Sequence, residues 1–236
     1  MDNMVENKKI AVIPARGGSK RLPKKNIIEF EGKPLIAHTI QAAKLSGLFN
    51  KIVVSTDSEE IADISVKWGA EVPSLRQSKA DDYSPVSEAT IEILEQLSFN
   101  GVDFDVVAQM LPVCPLRDSE DIKNALKFFE VKKASFLISC FKFVWMNPWW
   151  AFTLNEKNKG DRIFDLNQKR SQDLPELYCP TGAIWIANIE SLKNEGTFYG
   201  EDQIFWEMEW KKAVDIDNKE DLDLAKAIYR MQGDSL

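Results

Sequence analysis

Short apolar segments alternate along the chain with longer segments in which apolar residues recur every three or four positions. Continuous apolar runs are typical of buried strands, and the longer spacing is typical of helices that bury one face. The pattern predicts strands at residues 8–14, 51–57, 70–75, 104–113, 134–141, 182–188 and 211–217. It predicts helices at residues 33–47, 58–69, 84–98, 119–132 and 218–231. Because strands alternate with helices, we expect an α/β fold with a mostly parallel sheet and helices on both faces.

The alternation of strands and helices is lost between residues 141 and 181, where proline, asparagine and glycine interrupt any helical spacing. We therefore predict a single domain at residues 8–236 with residues 141–181 inserted into it as a small lobe. Ser84 or Ser87 is a candidate N-cap for the third predicted helix, and Asn218 for the fifth, because side-chain oxygens at that position accept free backbone N–H groups.

The composition is that of a globular protein with an acidic balance. Of 236 residues, 44% are hydrophobic and 28% charged, and the formal net charge is −7. Nucleic-acid binding usually requires a basic face, so we do not expect it. No apolar run approaches the ~20 residues that cross a membrane. The first residues, MDNMVENKKI, contain no apolar signal-peptide core, and Cys114, Cys140 and Cys179 are widely spaced. We therefore expect a cytoplasmic protein whose cysteines are small buried hydrophobes.

One stretch reverses the acidic balance. Residues 13–26, IPARGGSKRLPKKN, contain five cations and no carboxylate, and they follow the first predicted strand. In parallel sheets ligands bind beyond the carboxyl ends of the strands. Gly17 and Gly18 allow backbone N–H groups to approach an anion closely. The stretch matches neither G-x-x-x-x-G-K-[ST] nor G-x-G-x-x-G. It therefore indicates an anion site of another type, or a solvated lysine-rich turn.

A second constellation is the sequence DID at residues 215–217, at the end of an apolar segment. Alternation on a strand would place Asp215 and Asp217 on one face, where two carboxylates can share a hard divalent cation. The alternative is that Asp217 caps the following helix. A triphosphate needs both protein cations and a metal held by carboxylates, so the two constellations together favour phosphoryl-group chemistry.

These stretches resemble the cytidylyltransferases that activate nine-carbon 2-keto sugar acids, namely the CMP-sialic acid synthetases and their relatives for pseudaminic and legionaminic acid. The first cationic stretch is the most specific part. Further matches follow in the same order along the chain: VSTDSEEIA at 54–62, GAEVPSLR at 69–76, ADDYS at 80–84, PLR at 115–117, RSQDLP at 170–175, GAIWI at 182–186 and DIDNKEDLDLA at 215–225.

The resemblance implies a Rossmann-like sheet of the nucleotide-diphospho-sugar transferase type, and the reaction of CTP with a sugar acid to give a CMP-sugar and pyrophosphate. It implies Mg²⁺ as cofactor, CTP and a small acidic sugar as partners, and a homodimer joined through the inserted lobe. It places on the nucleotide Ala15, Arg16, Gly17, Ser19, Lys25, Asn26, Arg76 and Asp82. Arg16, Lys25 and Asp217 are the implied catalytic residues, and Asp215 and Asp217 the implied metal ligands.

The sugar side departs from the sialic acid pattern. Where a glutamine is expected the chain has Leu111, and PTGAI at 180–184 has Thr181 where asparagine is expected. These changes remove polar groups, so we expect a pocket suited to a deoxy, acetamido-bearing sugar. The residues expected at the sugar are Leu111, Arg170, Gln172, Tyr178 and Thr181. Arg170 is the candidate for its carboxylate.

Three alternatives stay open from the residues alone: an enzyme for the eight-carbon acid of lipopolysaccharide, a glycosyltransferase with a metal-binding D-x-D, and an inert CTP-binding module. The tryptophan-rich segment WMNPWW at 145–150 is either a wall of the sugar pocket or a subunit interface. The proton acceptor for the sugar hydroxyl is not identified, since the single histidine, His38, lies within a predicted helix and is expected to be structural.

Overall fold

The computed structural model describes residues 7–76, 86–144, 146–164 and 170–233. In chain order the strands are β1 Lys9–Pro14, β2 Glu29–Phe30, β3 Lys33–Pro34, β4 Lys51–Ser55, β5 Val106–Gln109, β6 Phe136–Lys142, β7 Phe152–Leu154, β8 Gly160–Arg162, β9 Tyr178–Asn188 and β10 Gln203–Glu207. The α-helices are α1 Leu35–Ser46, α2 Glu59–Trp68, α3 Val86–Phe99, α4 Ser119–Lys132, α5 Ile189–Glu195 and α6 Lys219–Gly233. Short 3₁₀ turns lie at Lys25–Ile27, Pro148–Trp150 and Ser171–Asp173.

The central sheet has six strands in the order β10-β6-β9-β5-β1-β4. Five of them run parallel and β9 alone runs antiparallel, between β5 and β6. The mostly parallel α/β fold expected from the sequence is therefore confirmed. Strand β4 pairs with one edge of β1, and β5, later in the chain, pairs with the other edge. The crevice between the ends of β1 and β5 is therefore a topological switch point, where such sheets bind ligands.

The two faces of the sheet are each covered by helices. On β1, Ala11 packs in a core with α1, α4 and α6, whereas Ile10 and Val12 pack in a second core with α3 and α5. All three side chains are fully buried. Alternate residues of β1 thus pack into the cores on opposite faces of the sheet. Both faces of this strand are therefore apolar.

Four expectations about strands require correction. Residues 211–217 are not a strand: residues 211–213 lie in a turn, residues 214–217 have no ladder pairing, and the Ile216 N–H donates to the carbonyl of Val113 at 2.9 Å. Residues 70–75 are reduced to a bridge between Glu71 and Val53. The strand predicted at 182–188 begins earlier, at Tyr178. Strand β10 was not predicted; its Ile204 and Trp206 pack against the core in the alternating pattern of an edge strand.

Of the N-cap predictions, one is confirmed and one is wrong. The prediction for Asn218 is confirmed, since its Oδ1 accepts the Asp221 N–H at 3.0 Å and Asp221 Oδ2 accepts the Asn218 N–H at 3.0 Å. This reciprocal pair is a capping box. The prediction for Ser87 is wrong because Ser87 lies inside α3, where its hydroxyl donates to the carbonyl of Gly196. Ser84 lies outside the described residues.

The chain between β6 and β9 projects beyond the sheet. The register of these two strands shifts after Ile138, and they continue paired out to Lys142 and Tyr178. In the segment between them, β7 and β8 form a small antiparallel hairpin whose residues are all exposed. The lobe predicted at 141–181 therefore begins inside β6 and ends inside β9.

The cysteines and the histidine occupy structural positions. Cys114 and Cys140 are buried, Cys179 is half-buried, and all three are free thiols. His38 Nε2 lies 2.9 Å from the carbonyl oxygen of Phe30, and its ring meets the Phe30 ring edge-on. Burial lowers the pKa of His38, which therefore stays neutral at physiological pH.

Candidate active site

The loop that follows β1 is fastened against the end of β4. The N–H of Ala15 donates to the carbonyl of Ser55 at 2.9 Å, and the N–H of Gly17 donates to Asp57 Oδ1 at 2.7 Å. A Cβ atom at Gly17 would lie 3.0 Å from Ser58 Cβ, so this close approach requires glycine or a displaced loop. The buried Asn26 donates from Nδ2 to the carbonyl of Arg16 at 2.9 Å. Ser19 on the same loop is half-buried.

Two cations of this loop contact a carboxylate from the far end of the chain. Lys25 Nζ lies 2.7 Å from Asp217 Oδ1, and an Arg21 Nη lies 2.6 Å from Asp217 Oδ2. We call Arg21, Lys25 and Asp217 the ion triad. The exposed fractions of the three side chains are 67%, 16% and 40%, respectively. The fold therefore brings the two constellations of the sequence into direct contact at the switch point.

Asp215 and Asp217 differ in their electrostatic surroundings. Asp215 is exposed to solvent, yet protein atoms around its carboxyl remove part of its hydration. This partial desolvation, together with the charge of Asp217, raises the pKa of Asp215 to about 6. Partial burial would also raise the pKa of Asp217, but its bonds to Lys25 and the charge of Arg21 outweigh burial and lower it. The two carboxylates are thus close enough for each to affect the other's ionisation.

The segment carrying these carboxylates is held by the interior rather than by a ladder of strand pairing. The Ile216 N–H donates to Val113, on the loop after β5. The hydroxyl of Thr181, on β9, donates to the carbonyl of Ala213 at 3.1 Å. Asp215 and Asp217 therefore project from a peptide anchored to the loop after β5 and to β9.

Arg76 lies across the crevice from the ion triad's loop, beside the end of β4. Its N–H donates to the carbonyl of Thr56 at 2.8 Å. Burial, with a contribution from the charge of Arg16, lowers the pKa of the Arg76 guanidinium, while Asp57 opposes this. Its Nε is buried without a hydrogen-bond partner among the described residues. Two guanidinium groups in one neighbourhood favour an anion between them. Asp82 lies outside the described residues.

The residues expected at the sugar fall into two groups. The first group, Leu111 and Thr181, is at least partly buried. Leu111 packs directly on Gly182, where a Cβ would meet Leu111 Cδ1 at 2.3 Å, and the Leu111 N–H donates to the Gly182 carbonyl. Thr181 is buried, with its hydroxyl committed to Ala213. Leu111 is therefore positioned to form an apolar wall, whereas Thr181 serves the segment that carries the carboxylates.

The second group lies on the projecting segment and is exposed. Arg170 Nε donates to Asp173 Oδ2 at 2.8 Å, and Gln172 is exposed beside it. The hydroxyl of Tyr178 donates to Glu176 at 3.0 Å. Arg170 and Tyr178 are thus paired with carboxylates of their own segment and not with the ion triad.

Two residues of the site received no role from the sequence. Asp57 fixes the glycine loop through the Gly17 N–H, and Arg21 pairs with Asp217. Asp57 lies two residues beyond the end of β4, the neighbour of β1, so its position near a strand's carboxyl end was a usable signal. Arg21 was visible only as one cation among five, because spacing along a loop does not indicate where a side chain points.

The donor set fits a divalent magnesium ion. Mg²⁺ in nucleotide enzymes is commonly held by one or two carboxylates, with phosphate oxygens and water completing its shell. Asp215 and Asp217 supply two such carboxylates in one neighbourhood, as their mutual effect on pKa indicates. Within the described ranges there is no cluster of three or more His, Cys, Asp or Glu side chains that could hold a metal ion.

A sequence profile for cytidylyltransferases matches residues 10–234. The chain belongs to the cytidylyltransferase family. The enzyme is 35% identical over 230 residues to the pseudaminic acid cytidylyltransferase of Campylobacter jejuni subsp. jejuni, covering 97% of this chain and 99% of that protein. It is 35% identical over 236 residues to the CMP-N,N'-diacetyllegionaminic acid synthase of Legionella pneumophila, covering 96% and 98%. The enzyme is therefore a nucleotidyltransferase, as the sequence motifs implied.

The fold of the enzyme is also found among solved structures. It superposes on a CMP:2-keto-3-deoxy-manno-octonic acid synthetase complexed with CTP with a TM-score of 0.72, at 16% identity, covering 95% of this chain and 99% of that one. A 4-diphosphocytidyl-2C-methyl-D-erythritol synthase from Anaerococcus prevotii gives a TM-score of 0.64 at 13% identity. At these identities the likeness concerns the fold alone. None of the described helices is long and apolar enough to cross a membrane.

Proposed function

We propose that the enzyme transfers CMP from CTP to the C2 hydroxyl of a nine-carbon 2-keto sugar acid and releases pyrophosphate. The hydroxyl oxygen forms a bond to the α-phosphorus, the bond from that phosphorus to the bridging oxygen of the β-phosphate breaks, and the hydroxyl proton is lost. The observation that carries the proposal is the ion triad, in which a carboxylate from near the C-terminus meets the cationic loop of β1 across 192 residues of sequence. Relatives matched over nearly their full length perform this class of reaction by name.

The roles of the nucleotide side follow from charge and position. Arg16 and Lys25, with the backbone of the loop from Ala15 to Ser19, would bind the triphosphate, because charge grows on its oxygens as pyrophosphate leaves. The buried Asn26 braces that loop. Arg76 would lie at the cytidine, as the resemblance implies. Asp82 keeps the cytidine role that the resemblance implies.

Asp215 and Asp217 would hold Mg²⁺ beside the triphosphate. When bound, the ion supplies positive charge that offsets the negative charge on the leaving pyrophosphate. The chain's own contribution is to present both carboxylates from a peptide fixed by Val113 and Thr181, so that little reorganisation is needed.

For the sugar, we propose a deoxy, acetamido-bearing nine-carbon acid of the pseudaminic or legionaminic type. Leu111 in place of an amide, packed on Gly182, supports an apolar wall. A wall of this kind favours a substrate whose hydroxyl is missing at that position, since an unpaired buried hydroxyl is costly. Arg170, Gln172 and Tyr178, which the resemblance assigns to the sugar, would supply its polar contacts.

The projecting segment between β6 and β9 supports a homodimer. Its apolar side chains include Met146, Phe152, Leu154 and Ile163, all more than half exposed. Apolar groups gathered on one surface are typical of interfaces. Three free cysteines support a reducing, cytoplasmic location.

The deciding experiment is pyrophosphate release with CTP and Mg²⁺ across pseudaminic, legionaminic, N-acetylneuraminic and eight-carbon acids, with ATP, GTP and UTP as controls. We expect release with CTP and one nine-carbon acid. Lys25→Met should lower kcat/KM for CTP by about a hundredfold. Lys24→Gln is the matched control, because Lys24 is on the same loop but pairs with Glu60. Binding of CTP with no release for any acid would instead identify an inert module.

A further inference from the structure

Two cations of the nucleotide loop share one carboxylate as their partner. Each oxygen of Asp217 accepts from a different cation, Oδ1 from Lys25 and Oδ2 from Arg21, at 2.7 and 2.6 Å. Lys24, the residue next to Lys25, pairs with Glu60 on α2. Among Arg21, Lys24 and Lys25, the ion pairs with Asp217 are therefore made by Arg21 and Lys25.

The ion triad creates a competition between two sets of partners. A divalent cation that binds Asp217 must displace at least one ammonium or guanidinium group from a carboxylate oxygen. A triphosphate offers those same cations an alternative with higher charge, because Arg and Lys pair strongly with phosphate oxygens. Nucleotide binding would therefore free the carboxylate at the moment when a metal ion is needed.

We propose that Arg21 is a positioning residue which, with Lys25, withholds Asp217 from divalent cations until a nucleoside triphosphate enters the site. The inference rests on the proposed function, because it requires that the loop bind a triphosphate. Arg21 is the moving member of the ion triad, since its side chain is 67% exposed, whereas that of Lys25 is only 16% exposed and held close to the loop. Binding of metal and nucleotide is then positively coupled through Asp217.

The first test measures Mn²⁺ binding by electron paramagnetic resonance on the nucleotide-free enzyme at ~0.15 M ionic strength, where distant exposed charges are largely screened. Arg21→Gln should tighten Mn²⁺ binding by about threefold, the effect of removing one partly exposed ion pair. Lys24→Gln removes one charge from the same loop and should leave the affinity at the wild-type value. Equal affinities for Arg21→Gln and wild type, or equal gains in the two variants, would overturn the proposal.

The second test measures CTP binding by calorimetry in EDTA. Asp217→Asn should bind CTP more tightly than wild type, because both cations are released to the triphosphate. The gain should be smaller when Arg21→Gln is also present, since only Lys25 is then left to release. Additive effects of the two substitutions would contradict the competition.

The two proposals fail in distinguishable ways. If the wild-type enzyme binds no CTP in EDTA or with Mg²⁺, both the proposed function and this inference are wrong. If it binds CTP and releases pyrophosphate, yet Arg21→Gln leaves Mn²⁺ affinity unchanged, the function stands and only the role of Arg21 is wrong.

Discussion

Replacing Thr181 by valine removes the hydrogen bond that positions the acidic segment, together with a longer contact of 3.8 Å between the Thr181 hydroxyl and the Cys114 thiol. Valine matches threonine in shape, but it cannot donate to the carbonyl of Ala213, two residues before Asp215. Thr181 is only 5% exposed, so no solvent replaces the lost donor easily. A hydrogen bond contributes about 1 kcal/mol net, and a buried acceptor left unpaired costs about 1–3 kcal/mol. We therefore expect the free energy of unfolding to fall by about 1–2 kcal/mol, and Tm by about 3–6 °C for a chain of this length.

The catalytic consequence is expected in the metal dependence. With Ala213 released, Asp215 and Asp217 lose one of their two anchors, and the Mg²⁺ concentration that gives half-maximal rate should rise. Thr181→Ser is the matched control: it keeps the hydroxyl and loses a methyl group, which costs about 1 kcal/mol of stability. Both variants are thus destabilised, but only the valine variant should require more Mg²⁺. Urea unfolding and Mg²⁺ titration of pyrophosphate release measure the two effects.

Two outcomes would refute this reasoning about Thr181. An unchanged unfolding free energy in Thr181→Val would mean that the bond to Ala213 contributes nothing. A raised KM for the sugar acid with an unchanged Mg²⁺ requirement would return Thr181 to the sugar-contacting role that the resemblance implied.

Three further predictions address the carboxylates, the sugar wall and the projecting lobe. Asp215→Asn should abolish turnover yet raise Tm at pH 7–8. The pKa of Asp215 in the folded state, about 6, lies above its ordinary value, so ionisation of this carboxyl above that pH destabilises the folded state. The gain in Tm should vanish below about pH 4, where the carboxyl is protonated in both the folded and the unfolded state. Thermal melts across this range check the sign, and equal Tm gains at every pH would contradict it. Leu111→Gln should shift relative kcat/KM toward N-acetylneuraminic acid, whereas Leu111→Met, a volume-conserving control, should not. Phe152→Glu should yield a monomer by light scattering, while a Phe99→Glu control on the exposed end of α3 should not change the mass; a dimeric Phe152→Glu would place the interface elsewhere.

The fold was predictable to the extent that local spacing determines it. The apolar run at β1, the helix spacing of α1 and the Asn218 cap are local signals, and each was correct. The segment 211–217 has the apolar content of a strand, but no neighbouring strand edge is offered to it, and tertiary bonds from Val113 and Thr181 hold it instead. Strand β10 was missed because its five residues form a strand only by pairing with β6.

The residue types that form the site were predictable from the sequence, but which side chains pair with each other was not. The cationic loop and the carboxylates were recognised from their sequence context, and the structure brings them together. Which cation meets which carboxylate depends on side-chain directions over 192 residues of separation, which no local pattern encodes. The same reason explains Thr181: its sequence neighbours suggested a surface facing the sugar, whereas its hydroxyl points to Ala213 inside the protein.

Strand β9 limits how this protein can change in length during evolution. It is 11 residues long, from the projecting lobe at Tyr178 to Asn188, and it carries Thr181 where its register against β6 shifts, between Pro180 and Trp185. Because side chains alternate along a strand, one inserted residue in the regularly paired part from Trp185 to Asn188 would turn every later side chain to the opposite face. Changes of length are therefore disfavoured there, whereas the lobe before Tyr178 can be lengthened or recast for new partners while the geometry of the acidic segment is inherited unchanged.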